Sequence, residues 1–257
     1  MVPEWQVNQD SLLPLVLISG WGQPVHWIKP VLPGGLPWVQ AWSLEDFTPE
    51  SPEAWVAQAM AVAPQRAVWM GWSLGGQLAM AAARDYPQRV AGVITLCATP
   101  GFVATEDWPH GRPAAEFDDF ARRCRRNPGA TLRRFSHLQS RGDRYEAQAQ
   151  QQGPASQSRE ASRELNNSGL LQTLDWLRHT DQRDLWRQPL VVPRLHLFGE
   201  RDPLVAPQTG NALGLARQQQ QLLPGLAHWP FGPHLPGLHT RLQDTLSRWS
   251  TGNATQQ

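Results

Sequence analysis

The sequence has almost no net charge, few cysteines and no long apolar run. Its 257 residues carry 23 basic and 22 acidic side chains, so the overall charge does not favour binding to nucleic acid or to a membrane surface. The longest apolar stretch, Leu12 to Ile18, is too short to span a bilayer. Glu4 and Asp10 precede it, where a secretory signal would carry positive residues. We therefore expect a cytoplasmic protein with no membrane and no nucleic-acid partner.

The two cysteines and eight histidines do not form a metal-binding pattern. Cys97 ends the strand-like run Val93–Leu96 and is expected to be a small buried core residue. Cys124 lies between two pairs of arginines and is expected to be an exposed thiol without a role. No zinc-type cysteine spacing is present, and no histidine pair stands at helical spacing near a carboxylate. The sequence therefore predicts no metal site.

The segment Gly71-Trp72-Ser73-Leu74-Gly75 fits the G-x-S-x-G pattern of a serine nucleophile. An apolar run of strand length, Arg66 to Met70, precedes it, and an Ala- and Leu-rich helical stretch follows as far as Tyr86. Strand, sharp turn and helix is the setting that this pattern needs. The alternative is a chance match in a region rich in alanine and glycine. The context favours Ser73 as a nucleophile.

Strand-like and helical stretches alternate along most of the chain, which predicts an α/β fold with a mostly parallel sheet and helices on both faces. The predicted strands are Pro14–Ser19, Trp38–Trp42, Arg66–Met70, Val90–Leu96, Pro193–Gly199 and Gln219–Leu223. The predicted helices are one that Ser51 caps, then Leu74–Tyr86, Gln208–Gln218 and Leu235–Trp249.

One segment, residues 102–186, interrupts this alternation. It is polar, rich in arginine and glutamine, and contains no convincing strand. We interpret it as a helical lid inserted over the carboxyl edge of the sheet, with residues 1–101 and 187–257 forming the core domain. Residues 112–163 carry eleven arginines against six acidic residues, within a chain that is near neutral as a whole. This excess predicts either a solvated helix surface or a docking site for an acidic partner.

An acid and a base each follow a late predicted strand. Asp202 comes just after Gly199, and His228 comes shortly after Leu223. The order Ser73, Asp202, His228 is that of the α/β-hydrolase triad, in which the histidine takes the proton of the serine and the acid orients the histidine. Such a mechanism needs no metal and no organic cofactor.

Each triad member has an alternative. Asp202 precedes a proline, as turn residues often do, and Glu200 is a rival acid nearer the strand end. His196 alternates with leucines and is expected to pack against the sheet. His234 and His239 are expected near the last helix, in surface or supporting roles.

The oxyanion of such a reaction needs backbone N–H donors. One is expected from Leu74, the residue after the nucleophile, and the other from Trp21 in the turn that follows the first strand. Trp21 and Trp72 are also expected to line the acyl pocket. The alternative is that both tryptophans only pack in the core.

At this point the chain resembles the α/β-hydrolases and, among them, the pimeloyl-[acyl-carrier protein] methyl ester esterases of biotin synthesis. The segments that carry the resemblance are residues 17–22 (LISGWG), 71–76 (GWSLGG), 107–109 (DWP), 185–190 (LWRQPL) and 227–231 (AHWPF). Two departures affect the acyl pocket rather than the triad. Ser19 stands where the family has a histidine, and residues 42–47 replace the usual Asp-x-Pro-Gly-x-Gly loop.

The resemblance implies a carboxylesterase that removes a methyl group from a pimeloyl chain held on acyl carrier protein. It implies Ser73 as nucleophile, Asp202 as acid, His228 as base, and the backbone of Trp21 and Leu74 as oxyanion donors. It also implies that lid arginines grip the acidic carrier. The candidates here are Arg122, Arg123, Arg125, Arg126, Arg133 and Arg134.

Three other functions stay open at this point. The first is a general short-chain carboxylesterase, and the second is another hydrolase of this fold, such as a C–C bond hydrolase; neither needs a carrier partner. The third is a receptor-like protein that retains the triad but chiefly binds a ligand. We expect a monomer in each case.

Overall fold

The computed structural model describes residues 13–32, 39–47, 50–152, 167–230 and 234–254. These residues contain a six-stranded sheet in which all pairs are parallel, in the order β2-β1-β3-β4-β5-β6. The strands are β1 (Leu15–Ile18), β2 (Val39–Trp42), β3 (Ala67–Trp72), β4 (Val90–Leu96), β5 (Arg194–Gly199) and β6 (Gln220–Leu223). The predicted fold class is confirmed.

Helices cover both faces of this sheet. They are α1 (Pro52–Val62), α2 (Leu74–Asp85), α3 (Ala114–Arg126), α4 (Pro128–Ser140), α5 (Glu146–Gln152), α6 (Asn167–His179), α7 (Arg183–Arg187), α8 (Thr209–Ala212) and α9 (Leu235–Ala254). Helices α1 and α2 pack on the face that carries Val16 and Ile18, whereas α9 packs on the face of Leu15 and Leu17. None of the helices in the described ranges has the length and apolar character that crossing a bilayer requires.

Local signals explain most of these elements. The central strands read as continuous apolar runs because a parallel sheet buries both of its faces, and every residue of β3 and β4 is buried. The hydroxyl of Ser51 accepts a hydrogen bond from the N–H of Ala54 and so caps α1, as predicted. The prediction of a helix over Gln208–Gln218 was wrong, because α8 ends at Ala212 and Gly214 adopts a φ of +70°.

The described residues between β4 and β5 contain helices α3 to α7. Residues 102–186, which the sequence predicts to be an inserted lid, are called the insertion below. The expectation of an exposed Cys124 was wrong. Phe117, Ala121 and Cys124 recur at helical spacing and form the buried face of α3. Burial raises the pKa of Cys124 to about 11, so its thiol stays protonated and unreactive at neutral pH.

Glu45 is an acidic residue held where the core meets the insertion. It lies in a short 3-10 helix, Leu44–Asp46, beside Gly169 of α6. Both carboxylate oxygens are buried, and neither accepts a hydrogen bond from another residue of the described ranges. Burial raises the pKa of Glu45 to about 7, and the neighbouring Asp46 adds to the rise.

Replacing Glu45 with glutamine is therefore expected to change how stability depends on pH. Because the folded protein holds the Glu45 proton more tightly than the unfolded chain does, the free energy of unfolding should fall as pH rises from about 4.5 to about 7. The loss expected from this carboxyl is about 1–3 kcal/mol. Urea unfolding at pH 5 and pH 8 measures it. In Glu45→Gln, the free energy of unfolding should differ less between pH 5 and pH 8, by that amount. An unchanged difference in unfolding free energy would contradict the assignment.

Candidate active site

Ser73 occupies the sharp turn between β3 and α2. Its backbone has φ 54° and ψ −121°, a strained conformation for a residue with a side chain. The turn depends on glycine on both sides, since a Cβ on Gly71 would lie 2.0 Å from the carbonyl oxygen of Gly75. The side chain of Ser73 is partly exposed. This geometry is the one that presents a serine hydroxyl at the carboxyl edge of a sheet.

Asp202 and His228 meet at the same edge, beyond β5 and β6. Nδ1 of His228 donates to Oδ2 of Asp202 over 2.8 Å, and both side chains are fully buried. The other oxygen of Asp202, Oδ1, accepts hydrogen bonds from the N–H groups of Leu204 and Val205 at 2.8 and 2.9 Å. These bonds fix the carboxylate, which in turn fixes the tautomer and the orientation of the imidazole.

Trp72 connects the histidine to the serine turn. Its indole Nε1 donates to the carbonyl oxygen of His228 over 3.1 Å, and the two rings lie 5.7 Å apart. Nε2 of His228 is buried and has no hydrogen-bond partner within the described residues. Catalytic hydrogen bonds are often formed only in the substrate complex. Nε2 of His228 is thus free to receive a proton. The role of Trp72 in binding substrate stays a prediction.

Glu200, the alternative candidate for the acid, makes a different contact. Its side chain is exposed, and Oε2 accepts a hydrogen bond from the N–H of Gly225 at 2.7 Å. It therefore supports the loop that leads to His228. Asp202 is the carboxylate that contacts the imidazole.

Two of the other candidate histidines are held elsewhere. His196 is fully buried, stacks on Trp186 with ring centroids 4.4 Å apart and shares a 2.8 Å hydrogen bond with Thr95. Burial, helped by the nearby cation of Arg194, lowers the pKa of His196 to about 3, so this ring stays neutral. His234 is bound to a carboxylate of the insertion, Asp143.

The turn after β1 lies against the nucleophile. A Cβ on Gly20 would lie 3.1 Å from Cβ of Ser73, which shows how closely this backbone approaches. The N–H groups of Trp21 and Leu74 donate no hydrogen bond to any residue that the structure describes. Both amides are thus unpaired within the described residues, and their role as oxyanion donors stays a prediction.

The indole of Trp21 reaches into the insertion. Its Nε1 donates to the carbonyl oxygen of Leu170 in α6 over 2.8 Å. Its ring meets the edges of Phe120 and Phe135, with centroids 5.4 and 5.1 Å away. The residue predicted to supply an oxyanion donor is therefore also a packing contact between the core and the insertion.

Cys97 lies beside Asp202, which the sequence did not indicate. It is buried, as predicted, but has φ 48°, and its Sγ lies within 4.8 Å of ligand atoms of Asp202 and His228. Nδ1 of His228 and Oδ2 of Asp202 are bound to each other, which is the arrangement of an acid–base pair. Burial next to Asp202 also raises the pKa of Cys97, which keeps the thiol protonated.

The insertion also holds the loop that carries His228. The carbonyl oxygen of Gln139 accepts hydrogen bonds from the N–H groups of His228 and Trp229, at 2.9 and 3.0 Å. Oδ2 of Asp143 accepts from the N–H of Ala227 at 2.8 Å. Neither Gln139 nor Asp143 was expected to belong to the site, and no motif marks them.

Comparison with known proteins gives a consistent result. The family model described as "alpha/beta hydrolase fold" matches residues 37–235. The chain is similar to a pimeloyl-[acyl-carrier protein] methyl ester esterase of Xylella fastidiosa (strain M12), with 37% identity over 73% of this chain and 74% of that protein. It is also similar to a protein of the same name from Stenotrophomonas maltophilia (strain K279a), with 36% identity over 83% and 82% of the two chains.

Solved structures share the fold at lower identity. An esterase from Exiguobacterium antarcticum superimposes with a TM-score of 0.72 and 16% identity, covering 91% of this chain and 92% of that one. A hydrolase from Oleispira antarctica gives a TM-score of 0.73 and 14% identity, covering 91% of both chains. At such identities the likeness concerns the fold alone.

Proposed function

Because the chain belongs to the α/β-hydrolase family, in the group of the pimeloyl-[acyl-carrier protein] methyl ester esterases, we propose that it hydrolyses the methyl ester of pimeloyl-acyl carrier protein in biotin synthesis. The observation that carries this proposal is the identity of 36–37% to such esterases over most of the chain. The hydrogen-bonded Asp202–His228 pair at the edge that also presents Ser73 supports it.

The proposed mechanism is that of a serine carboxylesterase. Nε2 of His228 takes the proton of the Ser73 hydroxyl as its oxygen attacks the ester carbonyl carbon. The N–H groups of Trp21 and Leu74 stabilise the oxyanion that forms. The imidazolium returns the proton to the departing methoxide, which leaves as methanol. Water, deprotonated by His228, then attacks the acyl-enzyme and releases the carboxylic acid and the free serine.

The insertion offers a surface that suits an acidic carrier. All six candidate arginines, Arg122, Arg123, Arg125, Arg126, Arg133 and Arg134, are exposed on α3 and α4. Arg122 and Arg123 share Asp119 as an ion-pair partner. The remaining four make no ion pair within the described residues. These free cations support docking of a negatively charged protein on the insertion.

The proposed function is tested by complementation of a biotin auxotroph that lacks the esterase. Growth with the natural chain, and no growth with Ser73→Ala, is the expected result. Release of methanol from purified pimeloyl-acyl carrier protein methyl ester gives the same test in vitro. An active esterase that fails to restore growth would instead favour a general carboxylesterase. The departures at Ser19 and residues 42–47 are the observation that supports that second candidate.

Charge reversal at Arg125 and Arg126 is expected to separate carrier docking from chemistry. The double variant Arg125→Glu/Arg126→Glu should lower kcat/KM for the carrier-linked ester by about tenfold or more at low salt, since it removes attraction to an acidic partner. Hydrolysis of p-nitrophenyl acetate should stay within about twofold of the natural chain, because this substrate needs no docking. The same measurements on Arg217→Glu, an exposed site outside the insertion, provide the control. Equal losses on both substrates would argue against docking.

The monomeric state and the cytoplasmic location belong to the same proposal. Both fit a biosynthetic esterase that acts on a carrier protein. Size-exclusion chromatography with light scattering and cell fractionation measure them.

A further inference from the structure

We propose that Asp143 is a positioning residue for His228: this carboxylate of the insertion fixes the loop that presents the catalytic base. The proposal rests on the proposed function only in taking His228 as the base. It assigns to the insertion a part in the chemistry of the site, in addition to any part in binding the carrier.

Asp143 is bound on several sides. Its side chain is fully buried. Oδ2 accepts a hydrogen bond from the N–H of Ala227, the residue before His228, at 2.8 Å, and Oδ1 accepts from the N–H of Tyr145 at 2.7 Å. Nε2 of His234 lies 2.8 Å from Oδ1 and 3.0 Å from Oδ2. The carboxylate therefore joins the insertion, the histidine loop and the start of α9.

Asp143 is in its charged form at neutral pH. Burial alone would raise the pKa of Asp143, but the hydrogen bonds from His234 and from the N–H groups of Ala227 and Tyr145 outweigh it and hold the pKa below its ordinary value. Hydrogen bonds to an ionised acceptor are shorter and stronger than neutral ones. The bond to Ala227 is thus a firm restraint on the backbone next to His228.

Backbone hydrogen bonds also join the described part of the insertion to this loop. The carbonyl oxygen of Gln139 accepts from His228 and Trp229, and the N–H of Arg144 donates to the carbonyl oxygen of Gly225 over 2.8 Å. Among these hydrogen bonds, the one that Asp143 accepts from Ala227 involves a side chain, so substitution can remove it while leaving the backbone bonds in place. Asp143 is therefore the position at which the coupling can be tested.

The test measures kcat and KM for p-nitrophenyl acetate in Asp143→Asn and Asp143→Ala. We expect Asp143→Asn to lower kcat by about tenfold and Asp143→Ala by more, with KM within about twofold in both, because displaced catalytic groups slow the reaction without altering substrate contacts. Asparagine keeps one oxygen acceptor, so it should rescue part of the loss. The downfield NMR signal of the His228 Nδ1 proton should shift in both variants, since it reports the bond to Asp202.

A matched control separates positioning from loss of stability. Glu146 is a carboxylate in the same segment that accepts a hydrogen bond from the N–H of Gly142 at 2.9 Å, within the insertion. Glu146→Gln should keep kcat and the downfield signal of the natural chain. The proposal is overturned if Asp143→Asn, folded by circular dichroism, keeps both, or if Glu146→Gln loses as much. Should Asp143→Ala fail to fold, Asp143→Asn decides. Hydrolysis that persists in Ser73→Ala would defeat the proposed function instead, so the two failures are distinguishable.

Discussion

Replacing Ser73 with alanine is expected to lower kcat for p-nitrophenyl acetate by about 10⁴-fold or more and to leave the fold intact. The loss follows from removal of the attacking oxygen, which no neighbouring hydroxyl can replace in the same turn. The fold should persist because the Ser73 hydroxyl makes no capping hydrogen bond to α2, and the turn is built by the backbone and by Gly71 and Gly75.

Steady-state kinetics measure the loss of kcat, and circular dichroism tests whether the fold is intact. Ser51→Ala serves as the control, since it removes a hydroxyl that caps α1 and does not belong to the turn of the proposed nucleophile. That variant should lose about 1 kcal/mol of stability and keep its activity. Hydrolysis by Ser73→Ala at the rate of the natural chain would remove Ser73 from the mechanism.

Replacing Asp202 with asparagine is expected to lower kcat by about 10⁴-fold, although the side chain keeps its shape. The carbonyl oxygen of asparagine can still accept from the N–H groups of Leu204 and Val205. Its amide group would then face Nδ1 of His228 as a donor, which favours the tautomer with the proton on Nε2. An imidazole in that form cannot take the proton of Ser73.

Glu200→Gln is the matched control for this change. Glu200 stands close to Asp202 in sequence, but its carboxylate accepts a hydrogen bond from the N–H of Gly225. Glutamine retains an acceptor there, so kcat should fall by less than about threefold. If Glu200→Gln were as damaging as Asp202→Asn, the assignment of the acid would be wrong.

The sequence was informative wherever the signal is local. The apolar runs that became β1, β3 and β4 are buried on both faces, and such strands are recognisable without any partner. The strained turn at Ser73 has its own five-residue pattern. Asp202 and His228 could be chosen because the carboxyl ends of parallel strands lie along one edge of a sheet.

Long-range contacts were not predictable in the same way. Asp143 and Ala227 are 84 residues apart, and no periodicity or motif links them. Cys124 was misjudged because its charged neighbours in sequence lie on the opposite face of α3. The end of α8 depends on the conformation of Gly214, which a composition suited to helix did not reveal.

The hydrogen bond from the indole of Trp21 to Leu170 has a consequence for the divergence of these enzymes. The acceptor is a backbone carbonyl, so a chimera that joined this core to the insertion of a distant homologue would keep the bond only if that insertion placed a carbonyl oxygen where Leu170 has one. Insertions of this kind are therefore interchangeable only where the backbone follows the same path beside Trp21. A change of substrate range through the insertion would therefore need matching substitutions in the core, at the residues that contact the insertion.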